Sequence, residues 1–231
     1  MKKLFKITGF TPYIFIIFLN AMTDLGHKII LQNTIFKSYD GSELIVLTAI
    51  VNAFILLPFI FLFSPSGFIS DKYPKTKVIE YASMAAIGIT TLILFSYYMG
   101  WFWLSFGLTL VLAAQSAIYS PAKYGLIKEM TGNENLAQAN AVVQAVTIVS
   151  ILAGAVVYSI LFENLLQDRS TDPSEILTYI APVGYLLITA SIVEYILARQ
   201  LVKKFKAIST NEEITFEISK FILFKIKFKS S

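Results

Sequence analysis

The chain has 231 residues, 56% of them hydrophobic and only 15% charged, with a net charge of +4 and a mean hydropathy of +0.68. Soluble domains carry about 45–50% apolar and about 25% charged residues, so this composition points away from a soluble fold and toward membrane-spanning helices. With no cysteine and a single histidine, His27, the chain has no disulfide, thiolate metal site, cysteine nucleophile or multi-histidine centre. No P-loop occurs, so direct ATP drive is not expected. No cofactor, metal or enzyme chemistry is read from these residues.

The N-terminal MKKLFKITGF is basic and precedes an apolar run, but no small-residue cleavage site follows, so it reads as a flank of the first span. Six apolar segments follow, near 10–35, 44–63, 78–99, 101–120, 139–162 and 179–197. About 20 helical residues at about 1.5 Å each cover a hydrocarbon core of about 30 Å, so each is long enough to cross. The fold class expected is an all-α membrane bundle of six helices, residues 1–207, followed by a polar linker and a short basic, apolar tail at 208–231. That tail, ending SKFILFKIKFK, is too short to span and reads either as an interfacial segment or as an artefactual or truncated end.

Lysine and arginine fix the expected orientation. Lys2, Lys3 and Lys6, then Lys72, Lys75 and Lys77, then Lys123 and Lys128, then Arg199, Lys203, Lys204 and Lys206 all fall on one side. The other side holds only Lys37 and Arg169. Cationic loops stay inside, so both termini are expected in the cytoplasm and the protein in the cytoplasmic membrane. Basic residues at segment ends, rather than along one face, argue against nucleic acid. YYMGWFW near residue 100 suits an aromatic belt on the far side.

Polar residues inside the spans mark candidate pathway positions. At about 100° per residue, Tyr13, Asn20, Asp24 and His27 share an arc about 60° wide. Two readings stand. Either this face lines a cavity, with Asp24 sensing protons or binding cations and Lys28 or His27 meeting a phosphate headgroup, or Asp24 and Lys28 form an i,i+4 pair. Asn140, Gln144 and Thr147 stripe the fifth span, as an interhelical hydrogen-bonding face or a headgroup path. Asn52 in the second span and Gln115, Ser116 and Tyr119 in the fourth are further candidates. Lys123, after Pro121, could complement a helix carbonyl end or contact lipid phosphate. Glu194 is read as an inner-end residue paired with Arg199, and Pro58 and Pro65 as bends in the second span.

Between the second and third segments stands SPSGFISDKYPKTKVIEY. Its Gly67, Asp71, Lys72, Lys75 and Lys77 resemble the G-x-x-x-D-[RK]-x-G-[RK]-[RK] loop of the major facilitator superfamily, with Pro74 in place of the usual glycine and Thr76 interrupting the basic pair. Gly67 would permit close helix approach and Asp71 a contact that breaks between two conformations. YSPAKYGLIKEM (119–130), NENLAQANAVVQ (133–144) and LNAMTDLGHKIILQNTIF in the first span resemble the lysophospholipid-transporter branch, over about residues 8–205.

The resemblance implies alternating-access transport of a lysophospholipid or similar amphipathic solute. It also implies a second six-helix half, from another chain or a copy of this one, since the superfamily uses twelve spans. An acyltransferase is a further implied partner, because that branch is often fused to one. The acyltransferase H-x-x-x-x-D motif is absent, Gln32 standing five residues after His27. The alternatives are an inactive truncated half and a structural membrane partner for an acyltransferase.

Overall fold

The computed structural model describes residues 3–204; the expected linker and tail from 208 lie outside the described residues. Among the described residues seven α-helices are present: α1 (Phe10–Ser38), α2 (Gly41–Phe61), α3 (Phe63–Lys72), α4 (Lys75–Tyr98), α5 (Phe102–Leu166), α6 (Pro173–Ile180) and α7 (Gly184–Lys204). No strand occurs among the described residues. A helix satisfies its own backbone donors and acceptors, which an apolar solvent cannot do, so apolar runs of this length become helices.

Among the described residues five segments are long and apolar enough to cross a membrane, one fewer than the six drawn from the sequence. The fourth and fifth apolar runs belong to a single 65-residue helix, α5, interrupted at Gly132 (φ 66°, ψ 175°). Contacts along α1 show what happens there. The first arm of α5 runs backward beside α1: Tyr13 meets Lys123, Asp24 meets Ser116 and His27 meets Ser105. The second arm runs forward: Ser150 reaches Phe18, Tyr158 lies against Gly26, and Lys37 pairs with Glu163. The two arms therefore lie antiparallel and the chain reverses at Gly132. Only glycine adopts that backbone region readily.

The α2–α4 connection also differs from its expected form. Gly67 and Asp71 sit on the short helix α3 rather than in a loop, and Pro65 belongs to α3, not to the second span. Pro58 lies three residues before the end of α2, so the helix stops soon after it. On the other side, α6 starts from a well-formed cap: Asp172 accepts from the backbone N–H groups of Ser174 and Glu175 at 2.9 and 3.0 Å, with Pro173 in the first turn.

Two apolar clusters close the ends of the bundle. One gathers Ile30, Ile35, Tyr97, Phe106, Phe162 and Ile180; the other gathers Phe10, Tyr13, Ile79, Leu126, Ala198 and Leu201. Between them lies a polar layer of Asn20, His27, Ser83, Thr109, Gln115 and Glu194, all buried. Leu201 touches the position of Gly9, so the start of α1 and the end of α7 share one end. At that end Lys75 Nζ pairs with Glu129 Oε1 at 2.6 Å, tying α4 to the first arm. Lys37 bridges Glu163 and Asp168 at 3.1 and 2.8 Å at the other.

Gly132→Ala is expected to destabilise the bundle by about 1–3 kcal/mol, because alanine is strained in that backbone region. Gly88→Ala, where an added Cβ meets nothing within 4 Å, should be neutral or slightly stabilising. Thermal unfolding in detergent compares the two; equal effects would remove the reversal at Gly132 as the cause.

Candidate functional site

A cavity of about 320 Å³ opens between α1, α2 and both arms of α5. Its polar wall comes from Asn20, Asp24 and Lys28 of α1 and from Thr109, Ser116, Tyr119 and Lys123 of the first arm. Leu25, Ile55, Phe59, Leu112 and Ile151 supply the apolar wall. The helical repeat explains the first arm's contribution: residues 109, 116, 120 and 123 recur at spacings of seven, four and three, one face of a helix.

The hydrogen bonds separate residues that are committed from residues that are free. His27 is fully buried; its Nδ1 lies 2.7 Å from the Tyr97 hydroxyl and its Nε2 3.1 Å from the Ser105 carbonyl. A carbonyl only accepts, so Nε2 donates and Nδ1 accepts from Tyr97. Both nitrogens are used in holding α1, α4 and α5 together, and the ring has no donor left for a headgroup. Tyr13 donates to the Lys123 carbonyl at 2.6 Å, fixing the first arm against α1 where Lys123 enters the cavity.

Asp24 is only half committed. Its Oδ2 accepts from the Ser116 hydroxyl while Oδ1 is buried without a partner. Ser116 Oγ also lies 3.2 Å from Gln115 Oε1, so a single proton faces two acceptors. The Asp24–Lys28 pair, one of the two readings of this face, does not form. Lys28 lines the cavity with no ion pair among the described residues. Lys123 is 9% exposed; its ammonium lies 5.8 and 4.9 Å from the Tyr119 and Tyr124 ring centres and makes no ion pair among the described residues. The Tyr119 hydroxyl is likewise unpartnered. The cavity thus carries an acid and two cations that do not neutralise one another by contact.

Other expected pathway residues lie elsewhere. Asn52 donates to the Thr48 carbonyl of its own helix at 2.9 Å. Gln115 donates to the Ala82 carbonyl at 3.0 Å, on the opposite side of the first arm. Of the stripe on the second arm only Thr147 reaches the cavity; Asn140 is half-buried outside it and Gln144 is exposed, 3.5 Å from the Tyr124 hydroxyl. Glu194 is fully buried and accepts from Ser83 at 2.8 Å instead of pairing with Arg199. Ser116 and Thr109 had a weak signal, their shared helical face with Lys123. Glu129, the partner of Lys75, had none.

The basic motif divides in two. Lys75 is committed to Glu129, and Lys77 pairs with Glu80 at 2.6 Å. Asp71 and Lys72 are exposed, Lys72 resting against the Phe68 and Tyr73 rings at 5.4 and 5.7 Å, and Asp71 has no ion pair among the described residues. A Cβ added at Gly67 would meet nothing within 4 Å, so no close helix approach occurs there in this conformation.

The chain is similar to curated lysophospholipid transporters. Lysophospholipid transporter LplT of Photorhabdus laumondii is 36% identical over 121 residues, 51% of this chain and 27% of the relative. LplT of Serratia proteamaculans is 34% identical and that of Enterobacter sp. 32%, each over 125 residues, 53% of this chain and 28% of the relative. The match thus spans little more than a quarter of these relatives' length. The resemblance read from the sequence is borne out at that level, and the relatives are named as transporters, not enzymes. No family model matches the chain, and no solved structure matches it.

His27→Leu leaves the Tyr97 hydroxyl unpartnered and removes the second donor from the Ser105 carbonyl, which keeps its helical bond, and should cost about 1–3 kcal/mol. Tyr97→Phe, which strands only Nδ1, should cost less. Thermal unfolding of the purified variants measures both; a stable His27→Leu protein would mean the histidine is not a structural joint.

Proposed function

We propose that the chain forms the six-crossing half of a major facilitator carrier and supplies one wall of a lysophospholipid path. The observation that carries this reading is the cavity, where Asp24 faces Lys28 and Lys123 without ion pairing, beside an apolar wall. A buried or half-buried charge without a contact partner is costly, and a ligand that brings the missing counter-charges relieves that cost. A zwitterionic lysophospholipid has the complementary pattern: a phosphate for Lys123 and Lys28, an amine for Asp24, and one acyl chain for Leu25, Phe59 and Ile151. Asn20 and Tyr119 offer further polar contacts.

Six crossings follow if each arm of α5 crosses once, since each arm exceeds the ~30 Å hydrocarbon core. The basic end, carrying Lys72, Lys75, Lys77 and Lys128, then faces the cytoplasm by the positive-inside rule. Phe59 and Ile151 are each 41% exposed although they line the cavity, so the site is open on the side of α2 and the second arm. A second six-helix bundle, from another chain or a copy of this one, would close that side. Rocking of the two about the cavity would give alternating access in the cytoplasmic membrane. Gly67, Asp71 and Lys72 would form the latch between the halves. An acyltransferase that re-acylates the imported lipid is the partner enzyme this reading expects.

Flux of labelled lysophospholipid into liposomes tests it. The chain alone should carry none, and co-reconstitution with a second six-helix half should restore it; no flux in either case would overturn transport and leave an inactive half or a docking partner. In the active pair, Lys123→Ala should lower flux at least about tenfold, the equivalent of about 1.4 kcal/mol. Asp24→Asn should impair lysophosphatidylethanolamine more than lysophosphatidylglycerol, which lacks the amine. Equal loss of both would remove the amine contact from the mechanism.

A further inference from the structure

A second hollow lies on the opposite side of the first arm from the cavity. It is a groove of about 580 Å³ between α3, α4 and α5. Its floor is made of small side chains, Ala82, Ala85 and Ala114, and its walls of Ile89, Val111 and Ile118. Three alanines where two helices meet leave space that larger side chains would fill. The polar group inside it, the amide of Gln115, is turned to the Ala82 carbonyl at 3.0 Å. The interior therefore offers an occupant apolar contact.

One end of the groove is different. Tyr73, Lys77 and Tyr81 form its mouth at the basic end. Lys77 Nζ holds Glu80 Oε2 at 2.6 Å and lies 5.9 Å from the Tyr81 ring, which leaves donors of the three-proton ammonium for a further acceptor. Arg199 adds a second positive charge within electrostatic range of Lys77, and Lys72 lies against Tyr73. Against these three cations stand two carboxylates, Glu80 and Asp71. From Lys77 to Ile89 is twelve residues of helix, about 18 Å. Half of a hydrocarbon core of about 30 Å is about 15 Å, so the groove runs through one leaflet.

We propose that this groove is a binding site for one diacyl phospholipid with an anionic headgroup, drawn from the leaflet at the basic end. Its phosphate sits at Lys77 among Tyr73 and Tyr81, and one acyl chain lies along Ala82, Ala85 and Ala114. The groove is apolar where a leaflet is apolar and cationic where the phosphates lie, with tyrosines at the boundary, where such rings favour the headgroup level. The lipid would pack the α4–α5 contact from outside, while the cavity on the other face stays open to its own ligand. This site does not depend on what the cavity carries.

Native mass spectrometry of the full chain, released from nanodiscs of phosphatidylglycerol and phosphatidylcholine in equal amounts, tests it. The wild type should retain one diacyl phosphatidylglycerol. Ala114→Phe, which fills the groove, should lose it, and Ala85→Leu should do the same if Ala114→Phe fails to fold. Lys77→Gln should abolish the preference for phosphatidylglycerol over phosphatidylcholine by lowering retention of the anionic lipid several-fold. Ile45→Phe, on the exposed face of α2 at 69% exposure, should change nothing. The proposal is overturned by no retained lipid, by equal retention in the filled-groove variants, by displacement of the bound lipid with added lysophospholipid, or by a second protein chain in its place.

Discussion

Inside a bilayer a polar side chain has no water to turn to, and α1 brings a run of such side chains into the middle of the fold. Tyr13, Asn20, Thr23, Asp24, His27 and Lys28 must all find partners on neighbouring helices or remain uncompensated. The joint at His27 meets this constraint most completely. One imidazole binds Tyr97 of α4 and Ser105 of α5 and so fixes the distance between three helices. Ser105 in turn lies 2.6 Å from Ser96 of α4, whose hydroxyl donates to Ile93, extending the joint along the α4–α5 seam. Tyr13 repeats the device near the basic end, and Ser150 donates to the Phe18 carbonyl from the second arm. The rest of the bundle is arranged around α1 because α1 holds the groups that must be answered.

What that arrangement leaves unanswered has a location. Asp24 Oδ1 and the Tyr119 hydroxyl are buried without partners, and Lys28 and Lys123 have no carboxylate in contact; all four residues face the same cavity. A fold that satisfies His27 with such care and leaves these groups open shows where a ligand would be stabilised. Glu194 is a different case. It too keeps one oxygen unpartnered, yet it is enclosed between α4 and α7, with Ser83 as its donor, and does not line the cavity. Burial alone therefore does not mark the site; open groups on a shared wall do.

The sequence made the spans legible because hydropathy depends only on composition over about twenty residues. It also placed Asn20, Asp24 and His27 on one face, since that requires only the helical repeat. It did not reveal that His27 is consumed by Tyr97 and Ser105, because both partners are distant in sequence and neither is unusual alone. The stripe of Asn140, Gln144 and Thr147 shows the same limit: periodicity gives a shared face but not the neighbour that the face meets, and only Thr147 turned toward the cavity. The reversal between the fourth and fifth runs was expected, but its place at Gly132 was not. Helix signals on both sides of it are strong, and one left-handed backbone angle fixes where the chain turns.

The basic motif shows how partnership sorts a cluster that composition presents as uniform. Lys75 is held by Glu129, and the far end of its side chain packs over the Gly125 position. Lys77 is held by Glu80 at the mouth of the groove. Both lysines thus have a carboxylate partner within this bundle. Asp71 and Lys72 close the preceding helix, α3, are exposed, and are not part of either ion pair. A contact that is made in one conformation and broken in another requires groups that are not already committed. On the proposed reading, the latch therefore belongs to Asp71 and Lys72, and the second half of the carrier is what they would close against.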